Sequence, residues 1–387
     1  MDLSLSEEQL LTRDSVRRFL KSACPPSAVR RAMTSSDGCD RALWDRLSAE
    51  LALQAVAIPE AYGGLGSGTV ELGLILEELG RSLACIPYLS SCVLAARAIQ
   101  HQGTAADHAR LLPSIASGAR IATLAFLEPG RTWTPAAVTL EARRRGDGWT
   151  LHGEKSLVMD GQIADLFVVA ARVAGTRGAE GLSLFVAESD STGLERTSLP
   201  TLDATRRLAR AAFHGVSAHP LGEPGSAAST LARTLDEGAA LLACEMVGGA
   251  ERSLELAVEY AKTRTQFGRA IGSFQAIKHK CADMLVAVES ARSAAYWAAC
   301  AAHSESDAEV AIGASVAKSY ASEAYFQVTA ECIQVHGGIG FTWEHDAHLY
   351  FKRARASAAY LGDASFHRAR LGHAIGLDSP AARSTLL

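Results

Sequence analysis

The chain has no excess of either charge: 38 Lys and Arg stand against 42 Asp and Glu in 387 residues, a formal net charge of −4. That balance excludes a general nucleic-acid or anionic-membrane binder, so an anionic ligand has to be held by local arginines. Long apolar runs are also missing. The uncharged stretch Ser82 to Ala96 is 15 residues with Pro87 inside it, and a membrane span needs about 20. The first twenty residues carry charges throughout and lack the apolar core of a signal peptide, so a protein mature as written is expected. Among eight cysteines there is no C-x-x-C pair, and five lie in Ala- and Leu-rich stretches, the pattern of buried thiols in a reducing cytoplasm. No H-E-x-x-H or related spacing appears among the histidines, so no metal is expected. What is abundant is apolar material: 48% hydrophobic against 21% charged residues, enough for large cores in two or three domains and too much for intrinsic disorder.

Periodicity divides the chain into three parts. Residues 1–118 read as helical, opening on a capping box at Ser4-Leu5-Ser6-Glu7 and broken by the loop Tyr62-Gly63-Gly64-Leu65-Gly66. Residues 119–222 change to a period of two, with a hairpin across Gly146-Asp147-Gly148 and apolar runs at Leu166 to Ala171 and Leu182 to Val186. That predicts a β barrel or sandwich. Residues 223–387 return to helical spacing. There Phe274, Ile277, Cys281, Met284, Leu285 and Val288 form one apolar face, as in a helical bundle. The fold class is therefore α+β and multidomain: a helical domain, a central β domain and a carboxy-terminal bundle, with no βαβ alternation to build a Rossmann sheet.

The most informative stretch is Tyr260 to Met284, YAKTRTQFGRAIGSFQAIKHKCADM. Arg264, Gln266, Phe267 and Gly268 interrupt one helix, and Ser273-Phe274-Gln275 begins the next. An arginine beside free helix-start amides suits a pyrophosphate; a solvated corner plugged by Phe267 is the alternative. This stretch resembles the signature of the acyl-CoA dehydrogenase family, as do QVHGGIGFTWEHDAHLYFKRA (Gln334 to Ala354) and the order of the three domains. The resemblance implies that Arg264, Gln266, Phe267 and Gln275, with Gln334, Gly337 and Gly338, reach the FAD of a neighbouring subunit, and hence that the protein is an oligomer. It also implies an acyl-CoA substrate, with Asp236 and Gly238 at acyl-CoA-contacting positions, and an electron-transfer flavoprotein as electron acceptor. A solvated helix-start carboxylate is the other reading of Asp236.

The chain departs from the family pattern in two places. In the β domain, Leu127 of LAFLEP stands where threonine is usual, and Leu157 and Met159 of KSLVM replace Trp and Thr, removing hydroxyls and a ring that meet the flavin in relatives. The second departure is the base that removes the α proton. Leu361 and Gly238 occupy the two positions where family members carry a glutamate. Glu245, among apolar neighbours and on the same helical face as Gly238, is the leading substitute, followed by Asp363 and Glu237. Glu245 can also be read as a buried carboxylate paired with an arginine, and Asp363 as a flavin-ribityl or helix-capping residue. The segment Leu202-Asp203-Ala204-Thr205-Arg206-Arg207 offers two arginines to CoA phosphates, or else is a solvated charge pair. LEPG followed by Trp133, the Leu-Asp-x-Thr-Arg segment and Leu361-Gly362-Asp363 resemble the sterol-side-chain branch, whose members assemble as α2β2 tetramers of unlike chains. Three functions follow: a dehydrogenase (homotetramer or heterotetramer), a non-catalytic partner that completes a flavin site, or an acyl-CoA oxidase. The Gly- and Ala-rich helix of Gly238, Ala239, Ala240, Gly248 and Gly249 is expected to leave room for a bulky acyl group.

Overall fold

The computed structural model describes residues 5–377. Its first helix, α1 (Glu7–Ala23), begins on a capping box made by Ser6 and Gln9: Ser6 Oγ accepts from Gln9 N–H at 3.2 Å, and the Gln9 side chain accepts from Ser6 N–H at 3.0 Å. The box lies two residues beyond the expected one. Glu7 is the first helical residue and cannot reach back, and Ser4 lies outside the described residues. Five further helices follow: α2 (Pro26–Thr34), α3 (Arg41–Leu51), α4 (Thr69–Arg81), α5 (Ala96–Gln102) and α6 (Ala105–Ala116). The glycine loop before α4 is tight, because a Cβ on Gly64 would lie 1.7 Å from the Ile58 carbonyl oxygen.

Strands run from β1 (Ala122–Ala125) through β2 (Glu141–Arg145), β3 (Gly148–Met159), β4 (Leu166–Val173), β5 (Leu182–Glu188) and β6 (Leu194–Leu199) to β7 (Leu208–Leu221). The β2–β3 hairpin pairs Arg145 with Gly148 at its turn. The pairing β4–β2–β3–β7–β5 returns to β4, so the ladder closes into a barrel, with β1 parallel on β4 and β6 antiparallel on β7. β4 and β5 are buried along almost their whole length, which is why they read as unbroken apolar runs.

The remaining helices are α7 (Ala228–Thr263), α8 (Gln275–Ala301), α9 (Asp307–His336), α10 (Ala347–Ala359) and α11 (Ala364–Ala374). Compactness divides the chain differently from element type. One unit joins Met1–Val29, Thr69–Ala84 and Ala239–Leu387; the other joins Arg30–Gly68 and Cys85–Gly238, so the division falls inside α7. In the first unit α4 and α7 cross with backbones in contact: a Cβ on Gly80 would lie 2.0 Å from the Glu245 carbonyl oxygen, and one on Gly248 1.8 Å from that of Glu77. Gly249 similarly abuts the Tyr325 ring. The expectation that Gly248 and Gly249 open space for an acyl group is thus corrected, since neighbouring helices fill that space. The apolar face expected on α8 is only partly covered, with Met284 and Val288 buried and Leu285 50% exposed.

Candidate functional site

The corner after α7 is a two-residue β-hairpin. Thr265–Gln266 pairs with Arg269–Ala270, and Phe267 and Gly268 turn between them with φ of +51° and +77°. Left-handed φ at both turn positions matches strand twist and suits Asn or Gly, so phenylalanine in the first position is strained. Its ring is 92% exposed, touching Phe274 edge-on at 6.2 Å. The Arg269 guanidinium lies 4.1 Å over the Phe274 ring. Arg264 anchors the hairpin through its backbone, donating to Tyr260 O and accepting from Ile271 N–H, both at 2.8 Å, while its side chain is exposed. Gln266 and Gln275 are also exposed, and α8 begins without a side-chain cap, leaving its first amides unclaimed by a capping side chain.

The second motif meets the first through an aromatic stack. Tyr260 lies 4.4 Å from the His336 ring, and His336 4.3 Å from that of His345. His336 Nδ1 donates to Cys332 O at 2.7 Å, and burial holds the imidazole below its usual pKa. Gln334 is exposed on the last turn of α9, which ends at Gly337 with φ +64° and ψ −145°. A Cβ at Gly337 or Gly338 would meet nothing within 4 Å. The backbone explains glycine at 337, but nothing in the chain's own packing requires it at 338. Ile339, Phe341 and Trp343 follow with 47%, 76% and 67% exposure. All seven residues expected at a flavin thus lie on exposed backbone turns and helix ends of one unit.

The carboxylates are placed differently. Glu245 Oε1 accepts from Arg353 Nη1 at 2.8 Å, and both side chains are buried. Glu237, fully buried in the other unit, accepts from Arg97, Arg233 and His101 at 2.8, 3.0 and 2.9 Å. Burial would raise its pKa, but His101 and Arg97 outweigh it and hold the carboxylate down at about 2. Asp363 is exposed and caps α11, accepting from Phe366 N–H at 2.8 Å. Asp236 is buried nine residues into α7, which corrects the reading of it as a solvated helix-start group. Gly238 is buried beside it. Arg207 donates to Met33 O at 2.7 Å, and Asp203 caps its own turn at Thr205 N–H, so this segment is no freely solvated charge pair.

Leu361 is buried with φ +59°, and Gly362 follows at +97°. Two residues given no role here from sequence, Lys318 and His367, hold this turn. Lys318, fully buried, donates to Gly362 O at 2.9 Å, Ala358 O at 3.1 Å and Ser322 Oγ at 3.2 Å, and burial pulls its ammonium down to about 7. His367 binds Leu361 O at 2.9 Å; burial and then the Lys318 charge lower it to about 3. A lysine inside the apolar run Val316-Ala317-Lys318 was the available signal. A separate cavity of about 480 Å³ in the same unit, lined by Arg17, Glu78, Arg81, Arg252, Glu255 and Tyr350 among others, contains none of the seven residues expected at a flavin. Its arginines are ion-paired to its own carboxylates. Among the described residues no group of three or more His, Cys, Asp or Glu is placed to hold a metal, and no helix is long and apolar enough to cross a membrane.

Comparison with known proteins decides the family. Models of the acyl-CoA dehydrogenase N-terminal, middle and C-terminal domains match residues 6–119, 123–215 and 228–376. The chain belongs to the acyl-CoA dehydrogenase family. It is 36% identical over 358 residues to the acyl-CoA dehydrogenase IpdE2 of Mycolicibacterium smegmatis, covering 92% of this chain and 96% of that one. Among solved structures, a Tcur3481-Tcur3483 steroid ACAD variant superimposes with a TM-score of 0.85 at 31% identity, over 96% of this chain and 99% of that one. The ChsE4-ChsE5 complex of Mycobacterium tuberculosis gives 0.88 at 29%, over 98% and 100%. Acyl-CoA dehydrogenases are FAD-dependent oxidoreductases, and these neighbours fit the sterol-side-chain branch.

Proposed function

We propose that this acyl-CoA dehydrogenase works in an oligomer, binds FAD where subunits meet, and desaturates an acyl-CoA thioester between its α and β carbons, passing electrons to an electron-transfer flavoprotein. The observation that carries this reading is Phe267. A large ring held at left-handed φ and 92% exposed is costly and unexplained within the chain, and it stands beside other exposed motif residues. The residues fit the cofactor chemically. Arg264 offers a guanidinium to a diphosphate, Gln266, Gln275 and Gln334 offer amides, Phe267 offers a ring face, and Gly337 and Gly338 let a ligand approach the backbone. Bound FAD supplies a two-electron acceptor for the hydride that leaves the β carbon. Asp236 and Gly238 are the proposed acyl-CoA contacts. Buried thiols such as Cys92 and Cys244, kept protonated by burial, support a cytoplasmic setting.

The α proton needs an acceptor. Within the chain Glu245 is the leading candidate, and it can act only by leaving Arg353; Asp363 is engaged by a helix cap, and Glu237, also buried, by Arg97, Arg233 and His101. A second reading is favoured by that same set of engagements, together with the vacancies at Leu361 and Gly238: the chain completes a flavin site while an unlike chain provides the base. Anaerobic mixing with a panel of CoA esters separates the two. Bleaching of the flavin band by the chain alone supports the first reading; bleaching only after an unlike, co-expressed partner is added supports the second. Colourless, monomeric protein with and without the partner overturns both. Peroxide release in air would mark an oxidase.

A further inference from the structure

The β domain holds a buried ion pair that the flavin reading leaves unused. Lys155 is fully buried at the end of the regular part of β3, and its Nζ donates to Glu128 Oε1 at 2.8 Å and Phe126 O at 2.9 Å. Glu128, 6% exposed, also accepts from Thr139 N–H at 2.9 Å, Leu140 N–H at 2.8 Å and the Thr139 hydroxyl. One charge pair therefore ties three chain segments together: 126–128, 139–140 and the start of a bulge in β3.

At that bulge the register with β7 skips Ser156 and Leu157, resuming at Val158 opposite Ala209. Strand residues without ladder partners are soft, but Ser156 N–H donates to Leu127 O at 2.7 Å, so segment 126–128 replaces the missing strand. Leu157 is held at φ +50°, a conformation a leucine keeps only when its surroundings impose it. Met159 faces inward, 1% exposed, and its carbonyl accepts from Thr123 Oγ1 at 2.6 Å. Ser156 and Leu157 are thus left half-buried at the bulge, between Lys155 and Val158, both buried.

A buried lysine is expensive to keep. Burial pulls it down to about 8 against the pull of Glu128, and packed apolar residues commonly stabilise a core as well as a buried pair does. What an ion pair adds is direction: its hydrogen bonds set where the two segments stand relative to each other. By the family resemblance, Leu127 and Leu157 stand where a flavin-contacting hydroxyl and ring are usual.

We propose that Glu128 and Lys155 are a positioning pair that fixes the Leu127 and Ser156–Leu157 backbone as the flavin-facing edge of this β domain, in place of the side-chain contacts those positions lack. The inference rests on the flavin reading above. In the test, FAD is titrated into the full-length chain co-purified with its partner and stripped of flavin, using the wild type, Lys155→Met and Glu128→Gln. Lys155→Met leaves Glu128 its three other donors, and Glu128→Gln keeps an acceptor oxygen. FAD affinity is expected to fall about 10- to 100-fold in each, the scale on which orienting partners act, with a shifted flavin absorbance band and a melting temperature of the flavin-free protein that does not account for the loss. Wild-type affinity and band position in a variant that merely melts earlier would make the pair structural and overturn the proposal, as would failure of both variants to fold. Absence of FAD binding in the wild type is a separate outcome, which removes the flavin reading itself and this inference with it.

Discussion

Glu245 and Arg353 join α7 to α10 inside one unit, Oε1 to Nη1 at 2.8 Å, with the two side chains 5% and 3% exposed. The Glu245 backbone lies against Gly80 of α4, so the pair stands at a crossing of helices as well as between two charges. A charge buried this way is stabilised by its partner, and losing one member leaves the other unpaired at a cost of about 3–5 kcal/mol. Glu245→Gln is therefore expected to lower the melting temperature clearly and, with Glu245 taking the α proton as in the first reading, to slow flavin reduction by a CoA ester about a hundredfold or more in protein that keeps its flavin. A rate within about tenfold of the wild type would make the Glu245–Arg353 pair structural and favour the reading in which an unlike chain provides the base.

Phe267 yields a prediction of opposite sign for stability and binding. A left-handed φ costs a non-glycine residue about 1–2 kcal/mol, and the ring's edge-on contact with Phe274 offsets only part of that. Phe267→Gly should leave the flavin-free chain as stable as before or slightly more so. FAD retained on gel filtration should drop at least about tenfold if the ring packs on the cofactor. Unchanged FAD retention would return Phe267 to the bland role of a solvated corner.

Much of this architecture is readable in the sequence because its signals are local. The switch from helical to alternating spacing near residue 119 and back after Pro224 matches strands from Ala122 to Leu221 and helices from Ala228. The hairpin at Gly146–Gly148 is equally direct, since two glycines and an aspartate leave little else to build. Long-range relations were not legible. The apolar spacing of α8 cannot say that Leu285 faces outward, because a face covered by another subunit and one covered by the chain's own core look alike. Gly248 and Gly249 read as empty space, yet glycine is equally the residue that lets helices touch, and here Glu77 O and the Tyr325 ring occupy that space. The partner of Glu245 lies 108 residues away in sequence, where no periodicity points.

The glycine pair after α9 separates backbone need from ligand need. Gly337 occupies φ +64° and ψ −145°, so alanine there should cost the flavin-free protein about 1–3 kcal/mol. Gly338 shows no left-handed φ and has open space around its would-be Cβ, so Gly338→Ala should shift stability by no more than about 0.5 kcal/mol. If a diphosphate approaches this backbone, FAD affinity should nonetheless fall in Gly338→Ala, read by titration against the wild type. Equal affinities would move the ligand away from the turn.

Acid should act on the cluster around Glu237 below about pH 4.5. Its carboxylate titrates at about 2 in the folded chain against 4.5 ordinarily, because His101 and Arg97 outweigh the effect of burial. Between those values the unfolded chain takes up a proton that the folded chain refuses. The stabilisation is therefore complete above pH 4.5 and lost as pH falls through about 2, a span worth about 3 kcal/mol. His367, neutral in the fold down to about 3, adds a second slope in the same direction below 6.5. The difference between two proteins isolates the first term. Glu237→Gln should be less stable at pH 7, since Arg97 and Arg233 lose their counter-charge, and its melting temperature should fall less steeply than that of the wild type as pH drops from about 5 to about 3. Parallel curves would show that acid sensitivity arises elsewhere, with His367→Phe then the variant expected to flatten the slope.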